Sequence, residues 1–271
     1  MLASVAKFLN NAVALEKTLR LVQALTQIGV ALTTSQAAAA PWLLTRSQVA
    51  VSRRFFRLHK WIDCGTAALA IYSSGGLNDT IVLLNFSKQT FLSIYFFLEM
   101  LTISNAIGIT NAQWELDIFR EASKFWFYAI GTSFLTSAYA IMLIMFRVKP
   151  AADNNTNENA SKSNPTTGTG PPEAELQKYR ARFYKDFISD GCDLLIPGSF
   201  LGWIPAAPLY VGIAMSTSTL LTLSDLWAII QYGRQEPNYY VALSQQLKGQ
   251  RSQNGGSKEP RTAKENGVKE L

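Results

Sequence analysis

One uncharged and strongly apolar stretch, residues 125–146, limits what this chain can fold into. Its 22 residues read "FWFYAIGTSFLTSAYAIMLIMF" and lie between Lys124 and Arg147. A helix of that length covers about 33 Å, which matches a hydrocarbon core about 30 Å thick. The stretch therefore predicts a transmembrane helix, and aromatic residues at its entry suit the interface between membrane and water.

The overall composition is also typical of a membrane protein. Hydrophobic residues make up 48% of the chain and charged residues only 16%, against about 25% charged residues in a soluble domain. The net charge of +6 could suit nucleic acid, but the basic residues lie beside aromatic and uncharged runs rather than on one solvated face. The sequence therefore predicts anionic phospholipids as the partner, and no nucleic acid.

Helical periodicity before and after this stretch predicts an all-α fold. Residues 15–32 form an amphipathic pattern, with one polar stripe opposite an apolar one. The polar stripe consists of Glu16, Arg20, Gln23 and Gln27. Residues 81–103 are more apolar, but Lys88 and Glu99 would each cost about 2.5–3.5 kcal/mol near a bilayer centre. We therefore expect 81–103 to pack in protein or to lie at the interface, as a poor spanning candidate.

The second half of the chain is less regular. A run without charge between Asp193 and Asp225 is interrupted by prolines, which allows either one span or a re-entrant hairpin. The predicted fold class is an all-α integral membrane protein, with amphipathic N-terminal helices plus one or two transmembrane helices. The predicted segments are a membrane-surface region (1–124), a transmembrane helix (125–146), a disordered linker (147–175), a charged helix (176–193), a C-terminal membrane segment (194–232) and a disordered tail (248–271).

A basic and aromatic stretch, "VSRRFFRLHKWI" at residues 51–62, is the candidate functional site. As one helix from Ser47 through Ile62, it would place its apolar side chains on one face and its four cations on the other. Such a helix gains more by lying on an anionic leaflet than by crossing it. The predicted lipid-binding residues are Val51, Arg53, Arg54, Phe55, Arg57, Leu58, Lys60, Trp61 and Ile62.

Two other interpretations of this stretch stay open. It could be a core-facing helix whose basic side is merely solvated, or a target for a calmodulin-like protein. No nucleotide-binding or nucleophile motif occurs elsewhere. The two cysteines, Cys64 and Cys192, are far apart, and His59 is the only histidine. We therefore expect no enzyme activity, no metal and no cofactor.

Three segments resemble the peroxisomal membrane protein eleven family, also called peroxin-eleven. "LEKTLRLVQ" at residues 15–23 is similar to the family's N-terminal helix, with Lys17, Arg20 and Gln23 in its pattern. "SRRFFRLHKWID" at 52–63 resembles its basic and aromatic helix, and the segment at 201–229 resembles its C-terminal membrane segment, closed by Trp227. His59 stands where the family usually has glycine, and Ala24 where it commonly has an aromatic residue. These departures indicate a divergent member, such as a fungal paralogue.

The resemblance implies a function in remodelling the peroxisomal membrane. Insertion of the amphipathic helix into the cytosolic leaflet would promote peroxisome elongation, fission and proliferation. It also implies homo- or hetero-oligomers with family paralogues, contact with the membrane fission machinery, and a location in the peroxisomal membrane with both termini in the cytosol. Two alternatives stay open: a pore or transporter for small metabolites, lined by Lys88, Glu99 and the hydroxyls of 216–219, and a scaffold that recruits division factors.

Overall fold

The computed structural model describes residues 2–74, 77, 79–147 and 173–233, all within the compact unit Met1–Glu236. These described residues form nine α-helices and no strand. The helices are α1 (Leu2–Leu9), α2 (Ala12–Leu32), α3 (Gln36–Phe56), α4 (Lys60–Ser73), α5 (Thr80–Leu101), α6 (Ile103–Ala106), α7 (Glu115–Arg147), α8 (Glu173–Phe200) and α9 (Pro208–Tyr232).

Local sequence signals explain several of the helix ends. Asn11 caps α2, because its side chain accepts hydrogen bonds from the backbone N–H groups of Val13 and Ala14. Asp79 does the same for α5 through the N–H of Ile81. These caps satisfy N–H groups that have no partner within the helix. Gly233 ends α9 with a φ of 62°, a left-handed conformation that glycine adopts without a side-chain clash.

Each long helix packs against two others along a continuous path. α2 lies between α3 and α9, α8 lies between α9 and α7, and α5 lies between α7 and α4. The turn at residues 57–59 joins α4 back to α3. This order brings side chains from α2, α3, α5, α7, α8 and α9 together around one interior region.

Three of the described helices are long and apolar enough to cross a membrane: Thr80–Leu101, Glu115–Met145 and Pro208–Tyr232. The fold class of an all-α membrane protein is therefore confirmed. The predicted transmembrane helix at 125–146 lies within α7, which begins earlier, at Glu115. Thr80–Leu101 also qualifies by length and composition, and its Lys88 and Glu99 both contact polar groups of the protein. The expectation that 81–103 packs in protein or lies at the interface stays a prediction.

The C-terminal membrane segment predicted at 194–232 includes the end of one helix and the whole of another. α8 continues through Pro197 to Phe200, a turn follows, and α9 begins at Pro208. With 25 residues, α9 is long enough to span by itself. Residues 148–172 of the predicted linker and the whole predicted tail at 248–271 lie outside the described residues.

The predicted continuous helix from Ser47 through Ile62 is two helices in the structure. α3 ends at Phe56, a turn occupies 57–59, and α4 begins at Lys60. The backbone N–H of Arg57 bonds to the carbonyl of Arg54 at 3.1 Å, which tightens the last turn of α3. The prediction was wrong because the local 3.6-residue pattern cannot reveal this turn.

Candidate functional site

The nine predicted lipid-binding residues lie on both sides of this turn, which we call the α3–α4 corner (residues 51–62). Only two of them have strongly exposed side chains: Phe55 is 50% exposed and Ile62 is 44% exposed. Arg53 is buried, and the others are partly exposed: Val51, Arg54, Arg57, Leu58, Lys60 and Trp61. The residues are therefore close in space but do not share one face.

Arg53 points into the protein and makes a buried ion pair with α2. Its Nη2 lies 2.8 Å from Oε1 of Glu16, and its Nε donates to the same oxygen at 3.0 Å. Its Nη1 donates to Oε1 of Gln23 at 2.6 Å. Glu16 is only 2% exposed, so two side chains of α2 satisfy a guanidinium from α3 in the interior.

Arg57 also points inward, toward α5. Its Nη2 lies 2.7 Å from Oε1 of Glu99, and its Nη1 donates to the hydroxyl of Tyr95 at 3.2 Å. That hydroxyl donates to Glu99 at 3.0 Å, which completes a buried group of three side chains. The guanidinium of Arg54 lies over the ring of Phe119, 4.8 Å from its centroid.

The prediction that the cations of 51–62 share an outward basic face was therefore wrong. Arg53 and Arg57 are held inside by carboxylates, and Arg54 faces an aromatic ring of α7. The physical reason is that Glu16 and Glu99, far away in sequence, offer buried partners that a local helical projection leaves out. Lipid binding by these residues stays a prediction. Fewer of their cations face outward, so the electrostatic attraction to anionic headgroups is weaker than the sequence predicts.

The amphipathic helix predicted at 15–32 has its polar stripe toward the protein interior. Arg20, only 6% exposed, bonds to Asp193 of α8, and its Nη2 donates to the hydroxyl of Ser218 in α9 at 3.4 Å. On the opposite stripe, Leu25 and Leu32 are exposed. A helix with polar groups inside and leucines outside is suited to a surrounding of lipid.

The interior charges shift one another's pKa values. Burial by itself would raise the pKa of Glu16, but Lys17, Arg53 and Arg57 outweigh it and lower that pKa to about 2. Burial and the neighbouring Arg57 lower the pKa of Arg53 to about 10, although Glu16 opposes the shift. At neutral pH both groups are therefore ionised, and the pair is a true salt bridge.

Acid is expected to weaken the fold through Glu16. A carboxyl whose pKa is lowered on folding, here from 4.5 to about 2, contributes stability that is present above pH 4.5 and lost as the pH falls toward 2. The loss is on the order of 3 kcal/mol. Unfolding of the detergent-solubilised protein measured from pH 6 to 2 should show this loss, and Glu16→Gln should flatten the curve. An unchanged slope in the variant would contradict the assignment.

The outer side of the α3–α4 corner is apolar. Phe56, 40% exposed, adds to Phe55 and Ile62 at the end of α3 and the start of α4. Trp61 anchors the inner side, since its ring packs edge-on against Phe97 of α5 with centroids 5.6 Å apart. The corner thus presents phenylalanine and isoleucine side chains outward from a base that is fixed to the bundle.

Four side chains hold the corner in place and were not predicted as its partners: Glu16, Gln23, Tyr95 and Glu99. The sequence contains a signal for them, because a charged residue on an apolar helix is costly unless it has a partner of opposite charge. Glu16 and Glu99 are two such residues. Within the described ranges, no group of three or more His, Cys, Asp or Glu side chains could hold a metal ion, and Cys64 and Cys192 are free thiols.

The three segments that carry the family resemblance meet in this interior. Gln23 of the first binds Arg53 of the second, and Arg20 of the first contacts α9 of the third through Ser218. The family model for peroxisomal biogenesis factor 11 (PEX11) matches residues 2–227, which include all three segments. The chain belongs to the peroxisomal biogenesis factor 11 family. No curated protein and no solved structure matches it.

Membership in the peroxisomal biogenesis factor 11 family confirms the resemblance noted in the sequence. The protein is a peroxisomal membrane protein that acts in peroxisome proliferation. The family consists of biogenesis factors and is not a known enzyme family. The three long apolar helices among the described residues of this chain support its association with a membrane.

Proposed function

We propose that the protein remodels the peroxisomal membrane by inserting the α3–α4 corner into the cytosolic leaflet, which promotes elongation and fission. The observation that carries the proposal is the exposure of Phe55, Phe56 and Ile62 on a corner whose arginines are bound inside the bundle. Side chains inserted to about 5–10 Å occupy the boundary between headgroups and acyl chains. Their volume expands one leaflet relative to the other and favours curvature.

The energy of insertion is modest and does not need to be large. Burying one phenylalanine or isoleucine completely is worth about 1.5–3 kcal/mol, and these three side chains are already partly covered by protein. However, α7 is long and apolar enough to hold the chain in the bilayer. Because insertion of the corner is then an intramolecular step at high effective concentration, a few kcal/mol are sufficient.

The buried ion pairs determine how the corner acts on lipid. Arg53 fastens α3 to α2, and Arg57 fastens the turn to α5. Because the corner is fixed to the bundle at two points, it cannot rotate away from the membrane. In this proposal the neighbouring lipids are displaced instead. In this proposal Arg53 and Arg57 fix the position of the α3–α4 corner. The contact with anionic headgroups comes from partly exposed cations such as Lys60.

A depth measurement tests whether the corner lies in the bilayer. A spin label would be placed on Phe55→Cys in a protein whose Cys64 and Cys192 are replaced by serine, reconstituted in liposomes. We expect the label to be accessible to oxygen, which concentrates among acyl chains, and shielded from a water-soluble nickel chelate. A label open to the nickel chelate and poorly accessible to oxygen would place the corner in water and contradict the proposal.

The pore alternative has less support from the described residues. Lys88 donates to the hydroxyl of Ser133 at 2.8 Å, and Glu99 is paired with Arg57. The hydroxyl of Thr217 bonds to a carbonyl of its own helix, as do the other hydroxyls of 216–219. These groups therefore contact protein, whereas a solute path needs them to face water. The scaffold alternative relies on the predicted linker and tail, most of which lies outside the described residues.

The proposed orientation, with both termini in the cytosol, requires an even number of crossings. Three helices in the described part of the chain qualify as spans by length and composition, so in this proposal one of them lies within the bundle or at the interface. Thr80–Leu101 fits that condition best because it carries both Lys88 and Glu99. Oligomers with family paralogues and contact with the fission machinery belong to the same proposal.

A further inference from the structure

A cavity of about 220 Å³ lies in the interior region between α2, α3, α5, α7, α8 and α9. Its cationic lining consists of Arg20, Arg53, Arg54 and Arg57, and the carboxylate of Glu99 also lines it. Its apolar lining consists of Phe119, Trp126, Ile196, Phe200 and Met215. Four guanidinium groups around one small space are costly unless negative charge balances them.

Carboxylates in the protein balance only part of this charge. Glu16 pairs with Arg53, Glu99 with Arg57, and Asp193 with Arg20. Arg54 has no such carboxylate among the described residues, and its Nη1 is buried without a hydrogen-bond partner there. Its contact with the ring of Phe119 leaves that N–H group unsatisfied.

The surplus of charge matches a phosphate group. With Lys17 beside Glu16, the cluster has five cations and three carboxylates, which leaves two positive charges. A phosphate monoester carries a charge of about −1.5 to −2 and offers several acceptor oxygens. Arginines reach the cavity from two different helices, α2 and α3, which suits a tetrahedral anion better than a planar carboxylate. Guanidinium groups bind phosphate oxygens in a fork with two hydrogen bonds.

We propose that this cavity binds the phosphate group of a small phosphorylated molecule or of a phospholipid headgroup, with Arg54 as the group that the ligand satisfies. The apolar side chains of the lining would cover the carbon skeleton next to the phosphate. The site lies behind the α3–α4 corner, because Arg53 and Arg57 belong to both. Phosphate binding there does not depend on insertion of the corner, so either proposal can fail without the other.

Thermal unfolding of the full chain in a nonionic detergent tests the site. Inorganic phosphate, glycerol 3-phosphate, short-chain phosphatidic acid and short-chain phosphatidylcholine are the probes, with sodium chloride of equal ionic strength as the reference. A saturable rise in Tm with inorganic phosphate and glycerol 3-phosphate would identify a soluble ligand. A rise with the short-chain phospholipids alone would identify a headgroup. No rise with any probe would overturn the proposal.

Variants assign the effect to the cavity. Arg54→Gln is expected to weaken binding of the effective probe at least tenfold, and Arg54→Lys should weaken it less because it keeps the charge but loses the fork. Lys124→Gln, which changes the same charge at a partly exposed ion pair with Glu121, should leave binding unchanged. Equal binding by wild type, Arg54→Lys and Arg54→Gln would place the phosphate elsewhere and overturn the assignment. If Arg54→Gln fails to fold, the comparison of probe binding between wild type and Arg54→Lys still tests whether the phosphate binds at Arg54.

Discussion

Replacing Glu16 by glutamine is expected to lower the free energy of unfolding by about 3–5 kcal/mol, the cost of leaving one member of a buried ion pair uncompensated. Glu16 is 2% exposed, and its Oε1 receives two hydrogen bonds from Arg53. Glutamine has nearly the same shape and can still accept a hydrogen bond, but it cannot neutralise the guanidinium. Denaturant titration of the detergent-solubilised protein at pH 7 measures the loss.

A double-mutant cycle separates the pair from its surroundings. Arg53→Met alone should also lower the free energy of unfolding, because it removes both hydrogen bonds that Arg53 donates to Oε1 of Glu16. The double variant should lose less free energy of unfolding than the two single variants lose together, by about 2 kcal/mol. Glu121→Gln is the matched control, since Glu121 forms a partly exposed pair with Lys124 and should lose less than about 1 kcal/mol. If Glu16→Gln costs no more than this control, the buried pair does not hold α3 to α2.

The sequence predicted the secondary-structure class and the main membrane helix because these depend on local patterns. The uncharged run at 125–146 lies in one helix of the structure. The capping residues Asn11 and Asp79 could also have been recognised locally, since Asn and Asp are favoured at that position. Such features need information from only a few consecutive residues.

The orientation of the helices could not be predicted in the same way. On α2, the alternation of polar and apolar residues has the same period whichever side faces the protein. Its polar stripe turned out to be interior, because Arg53 from α3 and Asp193 from α8 meet it there. Pairing between residues far apart in the chain is a tertiary property, and a projection of one helix contains no information about it.

At the candidate site, too, some features were predictable from the local sequence and others depend on tertiary contacts. Phe55 and Ile62 were predicted on one outward face, and both are exposed. Arg53 and Arg57 were predicted on the opposite face, where solvent or lipid would meet them. Both arginines instead point into the protein, where Glu16 and Glu99 bind them, so the surroundings predicted for them were wrong.

Replacing both Phe55 and Ile62 by glutamate is expected to abolish membrane deformation without unfolding the protein. Each carboxylate would have to leave water to enter the leaflet, which costs more than the original side chain gained. Both positions are exposed in the bundle, so surface substitution there should change the free energy of unfolding by no more than about 0.5 kcal/mol. Thermal unfolding of wild type and variant checks that the fold is retained.

A matched control keeps the added charge and leaves the corner intact. Asn111→Asp with Gln113→Glu introduces two negative charges at exposed polar positions of the loop between α6 and α7. Phe55→Leu with Ile62→Val is a second control, because it preserves the apolar character of the corner. Both control variants should deform membranes as the wild type does.

Electron microscopy of liposomes that contain the full chain, compared at equal protein-to-lipid ratio, shows whether the α3–α4 corner deforms the membrane. We expect tubules with wild type and with both control variants, and smooth round vesicles with the variant carrying glutamate at 55 and 62. Tubules formed equally by that glutamate variant would mean that the membrane is deformed without insertion of the α3–α4 corner, and the proposed mechanism would be wrong.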